Sequence, residues 1–371
     1  MLVPFLASFL FVISAAPLNI SLQTTSTSQG VAENVPTRAP ASEVSELEKK
    51  AETGDAAAQY ALGKAYESGN GVPKRTDQAA IWYRKAAEQG NEKAQNGLGV
   101  LYWLGDGVEK DKAEAVRWYR KAARQGNANA MFNIGAAYYN GEGVRFDGTL
   151  AYAWFLLSSE AGNPSGQDAA KRSQGEYGPG GFNEACLAIG EMYEKGEDLP
   201  QDLRSAAAWY RKAGDRGHNQ AQISLALLSI AAKDYGEARH WCETAAKEGY
   251  SPAYFCLGYL HKNGFGVAQD STEAFRWYQQ GARGGHPPSM LVLAEMYATG
   301  VGTKLDRPEA LLWFLESGRR GNNDALIAAR KLRSSMTENE WKDALKKLRQ
   351  RNRDSQWVDE LLRRGSTPPA P

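Results

Sequence analysis

Apolar residues recur along the chain in two alternating stripes, each with helical spacing. In residues 94–129 the stripes comprise Ala94, Leu98, Leu101 and Tyr102, and then Ala115, Trp118, Tyr119 and Ala122. Residues three and four positions apart lie on one face of an α-helix, so each stripe predicts a helix with one buried side. The polar residues between the stripes predict a turn. The pattern therefore predicts a pair of packed helices.

The same helix pair recurs seven times. Its most visible marker is a tryptophan in the second stripe, at Trp82, Trp118, Trp154, Trp209, Trp241, Trp277 and Trp313. A fixed period in the thirties is typical of α-helical repeat proteins, whose units pack on their neighbours. We number the repeats 1 to 7 and count positions from the first residue of 58–93, 94–129, 130–165, 185–220, 221–252, 253–288 and 289–324.

Glycines and an aspartate mark fixed positions in the repeat. Position 6 is Gly or Ala, and because Gly inside a helix costs about 1 kcal/mol relative to Ala, we expect a bulky neighbour there, with the tryptophan as the candidate. Position 33 is Gly in every repeat and predicts a left-handed helix end. The run Gly105–Val108 predicts a turn rather than a phosphate loop, since no Gly-Lys-Ser/Thr follows it. Asp111 and Glu114 predict a helix cap.

Together these features resemble the Sel-one-like repeat (SLR) family, a relative of the tetratricopeptide repeat. The similarity rests on Leu-Gly-x-x-Tyr, Gly-x-Gly-Val, Ala-x-x-Trp-Tyr-x-Lys-Ala-Ala and the terminal Gly, and it covers residues 58–324. The resemblance implies an all-α fold, a right-handed α-solenoid superhelix of antiparallel helix pairs with about seven SLR units. Such an array offers a groove for protein ligands.

Sequence outside and between the repeats predicts the domain organisation. Residues 1–16 are apolar and uncharged, although the basic start of a secretory signal is missing. We expect export to the periplasm or the exterior; the alternative is an uncleaved interfacial segment. Repeat 5 is four residues short and lacks Gly-x-Gly-Val. The predicted segments are a signal peptide at 1–16, a disordered spacer at 17–41, a first sub-array with an N-terminal half-unit at 42–173, a weak, bent, glycine-rich seam at 174–184, a second sub-array at 185–324, capping helices at 325–362 and a disordered tail at 363–371.

Charge limits the classes of partner. The net charge of +1, with 23% charged residues, gives no strong whole-chain attraction to nucleic acid or to anionic membranes. The one basic stretch, residues 330–353, is interpreted as a solvated capping helix, with binding to nucleic acid or an acidic partner as the alternative. We therefore expect a protein or peptide ligand, no nucleic acid, no membrane span once the signal is removed, and a monomer.

Candidate chemistry is sparse, and we predict neither an enzyme nor a metal or cofactor site. Nucleophile and metal-ligand motifs are missing from the sequence, and the four histidines fall at different repeat positions. We interpret His261 as a packing substitute for tyrosine, and His218 and His286 as residues that finish helices. Two alternatives to a binding scaffold stay open: an envelope-directed hydrolase of the β-lactamase-like type attributed to cysteine-rich SLR proteins, and an architectural spacer.

Three residues of the first sub-array are candidate partner contacts. Position 10 is Glu67, Glu194 or Lys262 elsewhere but Trp103 and Tyr139 in repeats 2 and 3. Consecutive aromatic residues at a position that is polar in other repeats can form an interface anchor. We predict that Trp103, Met131 and Tyr139 form an adhesive patch on the first helices; the alternative is that they pack on adjacent repeats.

Two of the three cysteines are candidates for a disulfide. Cys242 replaces the aromatic ring of position 26, and Cys256 occupies position 4 of the next repeat, where small residues are common. If the ring of one repeat lies against the small residue of the next, the two cysteines share one contact. An oxidising compartment then permits a bond. The alternative is two separate buried thiols.

Overall fold

The structure, a computed structural model, describes residues 41–351, which are helices joined by turns with no strand among them. The helices are α1 (Ala41–Glu52), α2 (Ala56–Ser68), α3 (Thr76–Glu88), α4 (Glu92–Leu104), α5 (Lys112–Ala123), α6 (Ala128–Asn140), α7 (Gly148–Glu160), α8 (Pro164–Lys195), α9 (Leu203–Gly214), α10 (Asn219–Ala231), α11 (Tyr235–Lys247), α12 (Ser251–Asn263), α13 (Ser271–Arg283), α14 (Pro287–Thr299), α15 (Arg307–Arg319), α16 (Asn323–Ser335) and α17 (Glu338–Arg351). The expected signal peptide, most of the spacer and the tail lie outside the described residues.

The predicted stripes are the buried faces of the helices. In repeat 2 the first helix α4 buries Ala94, Leu98 and Leu101, and the second helix α5 buries Trp118 and Tyr119. In repeats 1 to 3 and 5 to 7 the first helix packs on the second helix of its own repeat, as α4 does on α5 and α12 on α13, and second helices pack on the next first helix. The all-α solenoid of helix pairs is therefore confirmed.

Position 6 is small for the reason predicted, but the neighbouring side chain is different. A Cβ atom added to Gly63 would lie 2.6 Å from the ring of Tyr83, and one added to Gly135 would lie 2.6 Å from the ring of Phe155. Each ring occupies position 26 of the repeat to which its glycine belongs. The expectation that the tryptophan approaches this glycine is wrong, because the residue after it in sequence points toward the first helix instead.

The Gly-x-Gly-Val segment is a turn, as predicted. Gly105 and Gly107 have φ angles of 76° and 73°, in the left-handed region that glycine adopts without strain. Gly107 also lies against the backbone of Thr76, at the start of the preceding repeat's second helix, where a side chain would collide. The turn thus closes one helix pair and contacts the previous one.

Helix ends follow the sequence signals with one difference. The Asp111 carboxylate accepts a hydrogen bond from the Glu114 amide at 2.9 Å, which confirms the predicted cap of α5. Gly90 and the other position-33 glycines have positive φ angles. His218 does not finish a helix; its Nδ1 accepts from the Ala221 amide at 3.2 Å and so begins α10. His286 likewise precedes α14.

The glycine-rich segment 174–184 is helical on both sides of one break. Helix α8 continues through it, and only Gly178 departs from helical angles, with φ 64° and ψ −166°, before Pro179. The ring of Tyr152 holds both sides, lying 6.4 Å from the ring of Tyr177 and 6.3 Å from that of Phe182. The bend is present, but it is a kink in a packed helix rather than a loop, and its weakness stays a prediction.

Extra helices cover the described ends of the array. Val44 and Ala51 of α1 share a buried cluster with Leu62 of repeat 1. At the other end, Ala344 and Leu348 of α17 share a cluster with residues of α15. Basic residues of this end form ion pairs here: Lys347 Nζ lies 3.0 Å from the Asp306 carboxylate, and Arg307 lies 3.5 Å from Glu340. These contacts favour the interpretation of α17 as a capping helix.

The chain divides into two compact parts, which we call the N-terminal block (Met1–Gln201) and the C-terminal block (Asp202–Pro371). The division falls after α8, so that helix, including the segment predicted as the seam, lies within the N-terminal block. No helix within residues 41–351 is long and apolar enough to cross a membrane.

Candidate functional site

An apolar groove lies on the C-terminal block, along the first helices of repeats 5 and 6 and the start of that of repeat 7. Its volume is about 360 Å³, within the range of pockets that hold small ligands or side chains of a partner. The lining residues are Ile223, Leu227 and Ile230 of α10, Pro252, Phe255, Cys256 and Tyr259 of α12, and His286 and Pro288 at the start of α14. We call this the apolar groove.

The groove displays large apolar side chains to solvent. Leu227 is 56% exposed and Tyr259 is 38% exposed, and they stand at the same repeat position on neighbouring first helices. None of the lining residues carries a fixed charge, and Lys262 and Glu295 are the charged residues within α10, α12 and α14. A surface of this kind favours aliphatic or aromatic side chains and disfavours charged ones, which would lose hydration there.

Aromatic rings extend one side of the groove. Tyr259 lies edge-on to Phe265 with ring centroids 5.8 Å apart, and Phe265 stacks on Tyr235 at 4.5 Å with nearly parallel planes. Phe265 belongs to the Gly-x-Gly-Val turn of repeat 6, and Tyr235 is the first residue of α11 in the shortened repeat 5. Tyr259, Phe265 and Tyr235 therefore form a continuous row of ring contacts.

His286 supplies a titratable polar group to the apolar groove. Its Nδ1 lies 2.9 Å from the Ser289 hydroxyl, and its ring meets the Phe255 ring edge-on at 5.5 Å. Burial lowers the pKa of His286 below its ordinary value of 6.5, because the charged ring would lose hydration. Burial thus favours the neutral form of the ring, in keeping with the uncharged lining of the groove.

A disulfide lies beneath this surface. The structure joins Cys242 of α11 to Cys256 of α12, with Cα atoms 6.0 Å apart, inside the usual range for such bonds. Both residues are buried, and Cys256 also lines the groove. The third cysteine, Cys186, is buried in the N-terminal block and is not part of this disulfide. The predicted contact between positions 26 and 4 is present, while the oxidation state of the pair in the cell stays a prediction.

The predicted patch of the first sub-array is mostly inaccessible. Trp103 is 7% exposed and Met131 is 6% exposed, so the expectation that position 10 faces solvent is wrong at Trp103. Its ring packs 6.4 Å from that of Tyr119, and the Lys112 amine lies 5.0 Å from its centroid. Tyr139 is half-buried and donates to the Glu176 carboxylate at 3.3 Å. Partner binding by Tyr139 stays a prediction.

Sequence reasoning missed the groove because it compared position 10 and not position 7. Position 7 holds Lys64, Val100, Ala136, Glu191, Leu227, Tyr259 and Glu295 in repeats 1 to 7. Leu227 and Tyr259 are the large apolar members and are consecutive, a signal that could have located the groove. The sequence does not show whether an apolar residue at position 7, such as Val100, is exposed or buried. A comparison of position 7 alone therefore does not predict which of these side chains reach solvent.

The described residues contain no metal-binding cluster that would add to this site. Among residues 41–351, no group of three or more His, Cys, Asp or Glu side chains is placed to hold a metal ion. His261, which takes the place of a tyrosine, is half-buried in α12. The apolar lining of the groove is suited to binding by apolar contact.

Comparison with known proteins agrees with the repeat boundaries. The family model of the Sel1 repeat matches residues 56–91, 92–127, 128–163, 183–218, 225–250, 251–286 and 287–322. A solved structure of a protective antigen from uropathogenic Escherichia coli strains, which displays an SLR fold, is 32% identical; the match covers 82% of this chain and 70% of that one, with a TM-score of 0.41.

Two further proteins are similar. A Sel1 repeat protein from Oxalobacter formigenes is 25% identical, with 90% of this chain and 98% of that chain covered and a TM-score of 0.44. Among curated proteins, chitin synthase regulatory factor 3 of Schizosaccharomyces pombe is 28% identical over 95 residues, which are 24% of this chain. The match spans 10% of the length of that relative.

Proposed function

The protein belongs to the Sel1 repeat family, and from that premise we propose that it is a protein-interaction scaffold that binds an uncharged segment of another protein in the apolar groove. The observation that carries this proposal is the contiguous apolar surface of α10, α12 and α14, in which Leu227 and Tyr259 are exposed. Exposed apolar patches of this kind are typical of interaction sites.

The chemistry of the lining selects the partner. A groove with no fixed charge favours a segment whose contacting side chains are leucine, isoleucine, valine, methionine or phenylalanine. Exposed apolar side chains at the centre of an interface contribute most of its binding energy.

Selection from a library of displayed peptides tests this proposal. We expect peptides bound by the wild-type protein to be enriched in runs of uncharged aliphatic and aromatic residues, and to lose binding to the Leu227→Asp and Tyr259→Asp variants. The matched control is Ile327→Asp, because Ile327 is 60% exposed on α16 of the same block and outside the groove. Equal loss with Ile327→Asp, or enrichment of charged peptides, contradicts the proposal.

Supporting data for a scaffold rather than a hydrolase come from the cysteines. The β-lactamase-like alternative rested on relatives with a bridge in every repeat, whereas the disulfide here joins two different repeats. An assay with β-lactam and cell-envelope substrates tests the proposal that the chain is not an enzyme. Turnover of one of these substrates by the wild-type protein, abolished by a single substitution within residues 41–351, contradicts that proposal.

We also propose that the scaffold acts outside the cytoplasm after removal of residues 1–16. The uncharged apolar start of the chain supports export, and a disulfide between Cys242 and Cys256 is compatible with an oxidising compartment. Mass spectrometry of protein purified from fractionated cells is expected to find an N-terminus close to Pro17. A retained Met1 in cytoplasmic protein contradicts this part of the proposal.

A further inference from the structure

The contact between repeats 5 and 6 is built differently from the contacts between other repeats. Elsewhere an aromatic ring at position 26, which we call the interface ring, fills the space between two first helices. The Tyr83 ring is the example: an added Cβ would lie 2.6 Å from it at Gly63 of the same repeat and 3.1 Å from it at Gly97 of the next. The ring therefore sets the distance between these helices.

In repeat 5 the interface ring is replaced by a covalent bond. Position 26 is Cys242, position 6 is Ala226, and position 4 of the next repeat is Cys256. All three are buried, and the disulfide ties α11 to α12 where the ring would otherwise stand. Without the bond, two thiols and a methyl group occupy the space of an aromatic ring, and nothing of comparable size fixes the position of α12.

Helix α12 forms the middle of the apolar groove. Pro252, Phe255, Cys256 and Tyr259 all lie on this helix and line the groove, with α10 on one side and the start of α14 on the other. The bond therefore holds the helix whose position determines how wide the groove is. Of the two bonded cysteines, Cys256 lines the groove, whereas Cys242 is fully buried on α11.

We propose that the Cys242–Cys256 disulfide regulates the apolar groove: the oxidised protein binds an uncharged apolar segment, and reduction by a dithiol weakens that binding by releasing α12. This inference rests on the function proposed above for the same groove. The class of reagent that acts on the bond is a dithiol or a dithiol-containing oxidoreductase, and its product is the corresponding disulfide.

The reaction is an ordinary thiol–disulfide exchange. A thiolate of the dithiol attacks the sulfur of Cys256, the Cys242–Cys256 bond breaks, and Cys242 leaves as a thiolate that takes up a proton. The second thiol of the reagent then attacks the mixed disulfide, releases Cys256 as a thiol and closes the reagent to its own disulfide. Two electrons and two protons pass from the dithiol to the protein.

The route of attack couples reduction to occupancy. Cys242 is fully buried, whereas Cys256 is 4% exposed and lines the groove, so the proposed approach of the reagent to the bond is from the groove side. A segment bound in the groove covers this approach and slows reduction. Binding and oxidation are linked at equilibrium. If the oxidised protein binds the segment more tightly by a given factor, the bound segment favours the oxidised state over the reduced state by the same factor.

Binding of Nile red, a neutral apolar dye, to the oxidised and reduced full-length protein tests the inference. We expect reduction with dithiothreitol to weaken the Leu227-dependent part of dye binding by about fivefold or more, and hydrogen exchange of α12 to increase. Tryptic peptides 240–247 and 248–262 carry Cys242 and Cys256 separately, so alkylation reports the oxidation state without interference from Cys186.

A variant that restores the interface ring is the matched control. Cys242→Tyr combined with Ala226→Gly and Cys256→Gly recreates the contact between repeats 1 and 2, where Tyr83 lies against Gly63 and Gly97, and its dye binding is expected to be insensitive to dithiothreitol. If this variant fails to fold, the comparison of wild type with and without dithiothreitol still decides. Equal dye affinity and equal α12 exchange before and after reduction overturn the inference.

The outcomes separate this inference from the function on which it rests. If Leu227→Asp abolishes dye binding but reduction leaves it unchanged, the groove is a binding site and the proposed redox regulation is wrong. Dye binding that neither Leu227→Asp nor Tyr259→Asp alters overturns the groove itself. A smaller equilibrium fraction of reduced protein in a fixed dithiothreitol redox buffer when the dye is present supports the reciprocal coupling, and an unchanged fraction contradicts it.

Discussion

The first helices of the two blocks follow one sequence pattern but present different surfaces. At position 7 the N-terminal block has Val100 and Ala136, which are 2% and 0% exposed. At the same position the C-terminal block has Leu227 and Tyr259, which are exposed. Repeats 2 and 3 of the N-terminal block thus bury this position, whereas repeats 5 and 6 of the C-terminal block display it, so apolar character alone does not identify a binding surface.

Polar contacts between first helices accompany the difference. In the N-terminal block the buried side-chain amide of Asn133 on α6 donates a hydrogen bond from Nδ2 to the side-chain Oδ1 of Asn96 on α4 at 3.2 Å. The equivalent positions of the C-terminal block are Ile223 and Cys256, and Cys256 is bonded to α11. The hydrogen bond joins two first helices, α4 and α6, directly. The disulfide instead joins the first helix α12 to the second helix α11 of the preceding repeat. The gap between α10 and α12 is the apolar groove.

Removal of one aromatic ring from each block sharpens the comparison most. Tyr119→Ala deletes a buried interface ring that lies against Gly99 and is expected to destabilise by about 3–5 kcal/mol. Tyr259→Ala removes an exposed groove ring and is expected to change stability by about 0.5 kcal/mol or less. Urea unfolding followed by circular dichroism, together with hydrogen exchange of α4 and α12, measures both effects.

Tyr119→Phe is the control for the first variant. The Tyr119 hydroxyl is buried with no hydrogen-bond partner in the structure, so its removal is expected to leave stability equal or slightly higher. A large loss with Tyr119→Phe would show that the hydroxyl, and not the ring, holds the two helices. Similar losses for Tyr119→Ala and Tyr259→Ala would remove the distinction between the blocks.

The disulfide is the next largest contribution. Its cysteines are 14 residues apart in sequence, and closing a loop of this size stabilises by about 3 kcal/mol in the chain-entropy description. The double variant Cys242→Ser/Cys256→Ser is expected to lose that amount against oxidised wild type in thermal or urea unfolding. Under dithiothreitol the two proteins are expected to unfold alike; a persisting difference means that the serines do more than break the bond.

The Asn96–Asn133 hydrogen bond is expected to contribute less. Asn96→Ala leaves the buried Asn133 amide without its acceptor, and a buried polar group left unpaired costs about 1–3 kcal/mol. Hydrogen exchange of α4 and α6 is expected to increase while exchange of α10 and α12 stays unchanged. The double variant Asn96→Ala/Asn133→Ala is expected to lose less than the sum of the single losses; additive losses mean that the pair is not coupled.

The smallest expected effect is the pH dependence of the C-terminal block. Since burial lowers the pKa of His286, the unfolded chain binds its proton more readily than the folded one. Its contribution to stability is therefore fully present above about pH 6.5 and is lost as the pH falls from there through the folded pKa. The variant His286→Asn, which keeps a residue suited to begin α14, is expected to flatten this decline between pH 7 and pH 5.

An unchanged decline in His286→Asn would assign the pH dependence to other groups. Thermal unfolding at pH 5, 6 and 7 compares the two proteins at equal ionic strength. His261→Gln, in the same block and half-buried on α12, is the matched control, and it is expected to retain the wild-type pH profile if His286 accounts for the effect.

Local sequence signals located most helix ends and turns correctly. Gly105 and Gly107 predicted a turn because left-handed angles are accessible to glycine, and Asp111 predicted the start of α5 because its carboxylate accepts amide hydrogen bonds. The glycine-rich segment was the exception. Contacts of Tyr152 with Tyr177 and Phe182 hold α8 together around Gly178, and such distant contacts outweigh local helix propensity.

The sequence by itself determined the class of fold, the repeat boundaries and the contact that brings Cys242 close to Cys256. It did so because apolar periodicity and turn residues act within one repeat, and seven copies confirm one another. Exposure at positions 7 and 10 was decided only by the tertiary structure. Trp103 is covered and Leu227 is open because neighbouring helices, and not the residue or its own helix, determine which side chains reach solvent.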